Sequence, residues 1–129
     1  VAGNSAEQKA ALEQRRKDKA LLNTYSNEKE IDLARDRNLQ LVEARIKNIE
    51  EMQKSAQEDL DSYRKEAKDA GAGKAIPASI QVDISAAESR IAKLKQDMDV
   101  AKAKAESVRA AFEADKARYR ELIGGGIKK

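Results

Sequence analysis

What chemistry this chain can do is bounded first by the residue types it lacks. Its 129 residues include no Cys, no His and no Trp. No thiolate or imidazole is present to act as nucleophile, general base or metal ligand. Thiol enzymes, zinc sites built on those groups, disulfide scaffolds and Ser-His-Asp triads are therefore excluded. Acid–base chemistry would fall to carboxylates, which matter only where they converge. Heptad spacing brings Asp32, Arg35 and Asp115 toward one helical seam. Buried there, the three form a candidate charge network that fixes helix register, a role attested for polar seam residues. The competing expectation is a stutter that rotates the helix so that Ile31, Ala34 and Leu41 take over the seam. Neither arrangement is catalytic, and no cofactor or metal is implied, because no second chemical group accompanies the carboxylates.

Ala70-Gly71-Ala72-Gly73-Lys74-Ala75 has glycines before a lysine, but not the spacing of a phosphate-binding loop, and no strand pattern precedes it. It reads as a hairpin tip, made basic by Arg64, Lys65, Lys68 and Lys74 against Glu66 and Asp69. A second set of cations forms a candidate contact patch: Arg15, Arg16, Lys17 and Lys19 near the start, and Lys116, Arg118 and Arg120, with Lys128 and Lys129, near the end. Its expected partners are a membrane surface or an acidic protein, and its plain reading is a solvated face. The net charge is only +3 and the two signs are interspersed. With no aromatic platform or recognised motif either, nucleic acid is disfavoured.

The elements that would position these groups follow from composition and breakers. Of the 52 nominally hydrophobic residues 23 are alanine, and only Tyr25, Tyr63, Phe112 and Tyr119 are aromatic. That is too little bulk for a globular core of this length. Ala, Glu, Lys, Leu and Arg make up 55% of the chain, a proportion that signals long helix or coiled coil. Gly and Pro are absent between Ser5 and Ala70, and again between Ala78 and Ile123. Two helical arms, 27–70 and 77–123, are thus expected around a tip loop at 71–76. Gly71 would stop the first arm and Pro77 would sit in the first turn of the second. Gly124-Gly125-Gly126 would end the helix and begin a flexible tail, 124–129.

Apolar spacing alternates three and four along both arms. The first ladder runs Leu39, Val42, Ile46, Ile49, Gln53, Ala56, Leu60, Tyr63, Ala67 and Ala70. The second runs from Pro77 through Ile84, Ile91, Met98, Ala105 and Phe112 to Leu122, with Asp115 as its charged exception. Sustained alternation of this kind argues for a coiled coil, and so short a loop makes the arms antiparallel. The matching register sets Tyr63 against Ile84, Leu60 against Ala87, Ala56 against Ile91, Ile49 against Met98 and Ile46 against Ala101. Nearer the base it sets Leu39 against Val108, Arg35 against Phe112, Asp32 against Asp115 and Glu28 against Tyr119. Large residues meet small ones, so the helices can approach closely. Residues 28–70 carry a net −3 and residues 77–129 a net +3, a modest further attraction. Gln53, opposite Leu94, is read as a partly exposed polar break without a binding role.

Residues 5–24 form a third helix whose apolar edge is Leu12, Leu21, Leu22 and Tyr25. Asn27 followed by Glu30 has the spacing of a capping box, and Ser26 is an alternative cap. We therefore expect a turn at 24–27 that folds residues 5–24 back on the open end of the hairpin. The extra apolar residues Ile31, Leu33, Ala34 and Leu41 would serve that third partner. The alternative is one continuous helix from 5 to 70. The fold class is all-α: an antiparallel helical hairpin with a short N-terminal helix at its open end, in a single domain.

Four stretches together carry a resemblance: Arg16-Lys17-Asp18-Lys19-Ala20-Leu21-Leu22 with Tyr25; Glu30 to Arg37; Ile76-Pro77 with Ile80 and Asp83-Ile84; and Asp115 to Leu122. The pattern resembles short exported coiled-coil proteins of proteobacteria whose function is uncharacterised, over roughly residues 7–122. The resemblance implies an envelope location and carries no functional residues. In size, basicity and helical hairpin the chain is also similar to the Skp family of periplasmic holdase chaperones, which adds a β-rich body for which no strand pattern appears here. The chain opens on Val1 without a basic-then-apolar leader, as a mature protein after signal-peptide removal would, or a piece of something longer. The expected function is a non-enzymatic structural or protein-interaction module of the bacterial envelope, with self-association or a protein partner and no small-molecule substrate. A holdase chaperone and a basic binder of anionic lipid or nucleic acid are the alternatives.

Overall fold

The computed structural model describes residues 2–71, 73 and 75–127, apart from the side chains of 2–4 and 125–127. It contains three helices: α1 (Ala2–Thr24), α2 (Glu28–Gly71) and α3 (Ala78–Ile127). There is no strand among the described residues. The fold is the expected all-α antiparallel hairpin of α2 and α3, with α1 folded back. By packing, the chain forms two compact units, one of Val1–Gln40 with Glu106–Lys129 and one of Leu41–Ala105.

The unit of Leu41–Ala105 is a two-helix seam. Ile49, Ala56, Leu94, Met98 and Ala101 form its buried cluster, against which Ile46, Met52 and Ile91 pack. Three expected pairs, Ile49 with Met98, Ala56 with Ile91 and Ile46 with Ala101, fall within this one cluster. Exposed ion pairs Arg64–Glu88 and Arg90–Asp59, each at 3.6 Å, flank the seam at the levels the register requires. Each is worth at most about 1 kcal/mol, so the seam rather than the pairs holds this unit. Gln53 is half-buried at its seam position. Leu41 is 79% exposed, which overturns its expected place in a widened apolar face.

The other unit contains α1, the start of α2 and the end of α3. Its core includes Ile31, 1% exposed, with Leu39 and Tyr119. Ala34 is half-buried and Leu33 is exposed, so only Ile31 and Ala34 widen the stripe as expected. The turn before α2 excludes a continuous helix from 5 to 70. Asn27 Oδ1 accepts from the Glu30 backbone N–H at 3.0 Å, and the Glu30 carboxylate accepts from the Ser26 N–H. Asn27 is therefore the cap, and the reciprocal bond falls one residue earlier than in the standard box. Thr24 Oγ1 donates to the Ala20 carbonyl at 2.7 Å and helps close α1.

Helix ends differ from expectation in three places. Gly73, with φ at +87°, takes the left-handed conformation expected of Gly71, which is instead the last residue of α2. Pro77 precedes α3, and its carbonyl accepts from the N–H groups of Ile80 and Gln81. α3 also continues through the glycines to Ile127. Glycine in a helix costs about 1 kcal/mol relative to alanine, a penalty but not a steric block. Lys74, Lys128 and Lys129, named above as basic, lie outside the described residues.

Urea unfolding followed by far-UV circular dichroism checks this packing. Ile49→Ala is expected to cost about 2–5 kcal/mol, whereas Leu41→Ala should stay within about 0.5 kcal/mol. Asn27→Ala is expected to cost about 1 kcal/mol through loss of its cap. Gly124→Ala should gain up to about 1 kcal/mol, because a Cβ there meets nothing within 4 Å.

Candidate functional site

Lys116, Arg118 and Arg120 meet Asp32, Asp18 and Glu28 in the unit that contains α1, in an arrangement set by the final turns of α3. Lys116 and Arg120 are four residues apart and share one face of α3; Arg118, between them, points roughly the opposite way. Glu28 and Asp32 have the same four-residue spacing on α2, which runs antiparallel. Lys116 Nζ lies 3.1 Å from Asp32, and Arg120 Nε donates to Glu28 at 2.9 Å. On the other side, Arg118 makes two bonds to the Asp18 carboxylate of α1, at 2.9 and 2.7 Å. Gln14 also donates to Asp18 at 2.8 Å, and Arg118 reaches Glu121 at 3.0 Å. Two charge clamps on opposite faces of α3 thus join it to α2 and to α1.

The expected network of Asp32, Arg35 and Asp115 is only partly formed. Arg35 lies 3.4 Å from Asp32 and 3.0 Å from Asp36. Asp32 and Arg35 are half-buried, so the cost of burying full charges is largely avoided. Asp115 is exposed and makes no ion pair among the described residues. It lines the groove between α1 and α3, with Lys17, Asp18, Leu21, Tyr25 and Arg118. The cation one residue further along α3, Lys116, takes the place opposite Asp32, since two like carboxylates facing each other would repel. The stutter reading holds only in part: Ile31 is 1% exposed and Ala34 half-buried, but Leu41 is 79% exposed.

The expected basic patch separates into two groups. Lys116, Arg118 and Arg120 are engaged by Asp32, Asp18 and Glu28. Arg15, Arg16, Lys17 and Lys19 are exposed on α1 and make no ion pair among the described residues. Asp18 was not singled out in the sequence, although its spacing of three to Leu21 and seven to Tyr25 puts it on the docking edge of α1. Leu21 and Tyr25 do turn inward, half-buried. Leu12 and Leu22 stay 47% and 41% exposed, which corrects their expected place on that edge. Leu12 lies nine residues from Leu21, half a turn round the helix.

The electrostatics are those of structural pairs. Bonds from Arg118 and then Gln14 hold the Asp18 carboxyl at about 2, and Arg120 lowers Glu28. The guanidiniums are raised in turn, Arg118 chiefly by Asp18, Arg120 by Glu28 and Arg35 by Asp36. A carboxylate held that low is a poor proton acceptor at neutral pH. No group of three potential metal ligands occurs among the described residues. No helix among them is long and apolar enough to cross a membrane. Comparison with protein families, with curated proteins and with solved structures finds no match.

The Asp18 clamp has a pH signature. Its folded value lies below the ordinary carboxylate value of about 3.9. Its contribution is therefore complete above that value and is lost as the pH falls toward about 2. An NMR titration should show the Arg118 Nε–H and Leu21 amide signals moving between about pH 4 and pH 2. Asp18→Asn should remove that transition.

Proposed function

We propose that the chain is a non-enzymatic structural or protein-interaction module of the bacterial envelope, acting through the hairpin of α2 and α3. The observation that carries this reading is the thinness of the seam beside two exposed apolar side chains on one side of it. Among the described residues, five of the twelve core side chains are alanines, so the two helices alone bury little apolar surface. Leu41 and Val100 are 79% and 69% exposed. Both occupy heptad positions on the side of the seam marked by the Asp59–Arg90 pair. A partner that covers this flank would supply the burial the seam lacks. The envelope location rests on the resemblance to exported coiled-coil proteins.

A photo-crosslinking residue placed at position 41 or 100 in cells tests the proposal. Discrete adducts of fixed mass are expected from both positions, in the periplasmic fraction, and none from the exposed position of Glu51. No adduct from either position overturns the interaction role. A broad smear of adducts reassigns the chain to holdase activity.

A further inference from the structure

Five cations of α1 remain unengaged, and four of them share a face while Lys17 lies about 140° from Leu12. At about 100° per residue, Lys9, Arg15, Arg16 and Lys19 all lie within about 60° of Leu12 around the helix. All four are exposed. The carboxylates of α1, Glu7, Glu13 and Asp18, lie about 100° or more from Leu12. Asp18 is also turned away, bound to Arg118 of α3. The outward face of α1 is therefore of one sign. It also carries large apolar side chains: Leu12 at its centre and Leu22 at its margin, 47% and 41% exposed. Nothing in the packing of α1 against α3 requires either leucine.

We infer that the outward face of α1 docks on an anionic phospholipid surface, with Lys9, Arg15, Arg16 and Lys19 at the headgroups and Leu12 and Leu22 entering the acyl boundary. Charge complementarity selects the surface: four unneutralised cations on one face meet a plane of negative headgroups, each contributing about five-fold in partitioning. The leucines select lipid over nucleic acid, because bases stack on aromatic rings and this face has none. The clamp of Asp18 on Arg118 presents the face already folded and oriented. This inference does not depend on the flank of Leu41 and Val100, which lies in the other unit.

Co-sedimentation of the full chain with vesicles tests it. Binding is expected to vesicles of equal parts phosphatidylglycerol and phosphatidylcholine, and not to phosphatidylcholine alone. It should fall steeply as salt rises from about 50 to about 500 mM. The triple variant Arg15→Gln, Arg16→Gln, Lys19→Gln should lose about a hundred-fold in partitioning. A charge-matched variant, Lys95→Gln, Lys102→Gln, Lys104→Gln, alters exposed positions on α3 and should bind as the unaltered chain does. Leu12→Ser with Leu22→Ser should weaken binding at every salt concentration. Far-UV circular dichroism checks that each variant keeps its helix content. Absent binding, equal binding to both vesicles, or equal loss in the charge-matched variant overturns the inference. So does tighter binding to a single-stranded oligonucleotide or to polyglutamate that the leucine substitutions leave unchanged.

Discussion

The alternation of cations at Lys116, Arg118 and Arg120 is the constraint on which the unit containing α1 depends. Residues two apart on a helix point nearly opposite ways, while residues four apart share a face. The outer two cations therefore meet the Asp32 and Glu28 carboxylates of α2, and the middle one meets Asp18 of α1. α3 is gripped from both sides by groups only two residues apart. Most of these groups keep some contact with water, so no full desolvation penalty opposes the pairing. The apolar contacts of Ile31, Leu21 and Tyr25 add to pairs that already set direction and level.

The unit of Leu41–Ala105 is governed by a different economy. Its seam alternates alanine with Ile, Leu and Met, so depth of packing replaces breadth. Close approach raises the dispersion gain of each contact while limiting the apolar area removed from water. A hairpin built this way is directional but thinly covered. That property supports the interaction role proposed for its exposed flank.

Periodicity made the hairpin legible: the ladder from Leu39 needs only spacing to reveal which face is buried, and its positions are buried or half-buried as far as Ala67, with only the last, Ala70, exposed. The cap was legible because Asn27 and Glu30 interact over a single turn. Asp115 was misplaced because ladder arithmetic treats a helix as having one partner. With α1 on the other side of α3, this position belongs to a groove and stays wet. Leu12 and Leu22 were misassigned for a related reason, since an apolar edge inferred from a few leucines ignores the rotation between them. The glycines at 124–126 have poor helix propensity, yet α3 runs through them, because propensity is a weak local preference that context overrides.

The sequence alone determined the fold class, the antiparallel pairing, the alanine-rich seam and the absence of thiol and imidazole chemistry, because each depends on composition or on interactions near in the chain. Only the tertiary structure decided which charges are spent and which are free. Arg118 and Arg15 look alike in the sequence. One is bound to a carboxylate a hundred positions away, and the other remains exposed on α1. Ion pairing over that separation depends on which helix faces are brought together, and heptad spacing alone does not encode where a third helix docks.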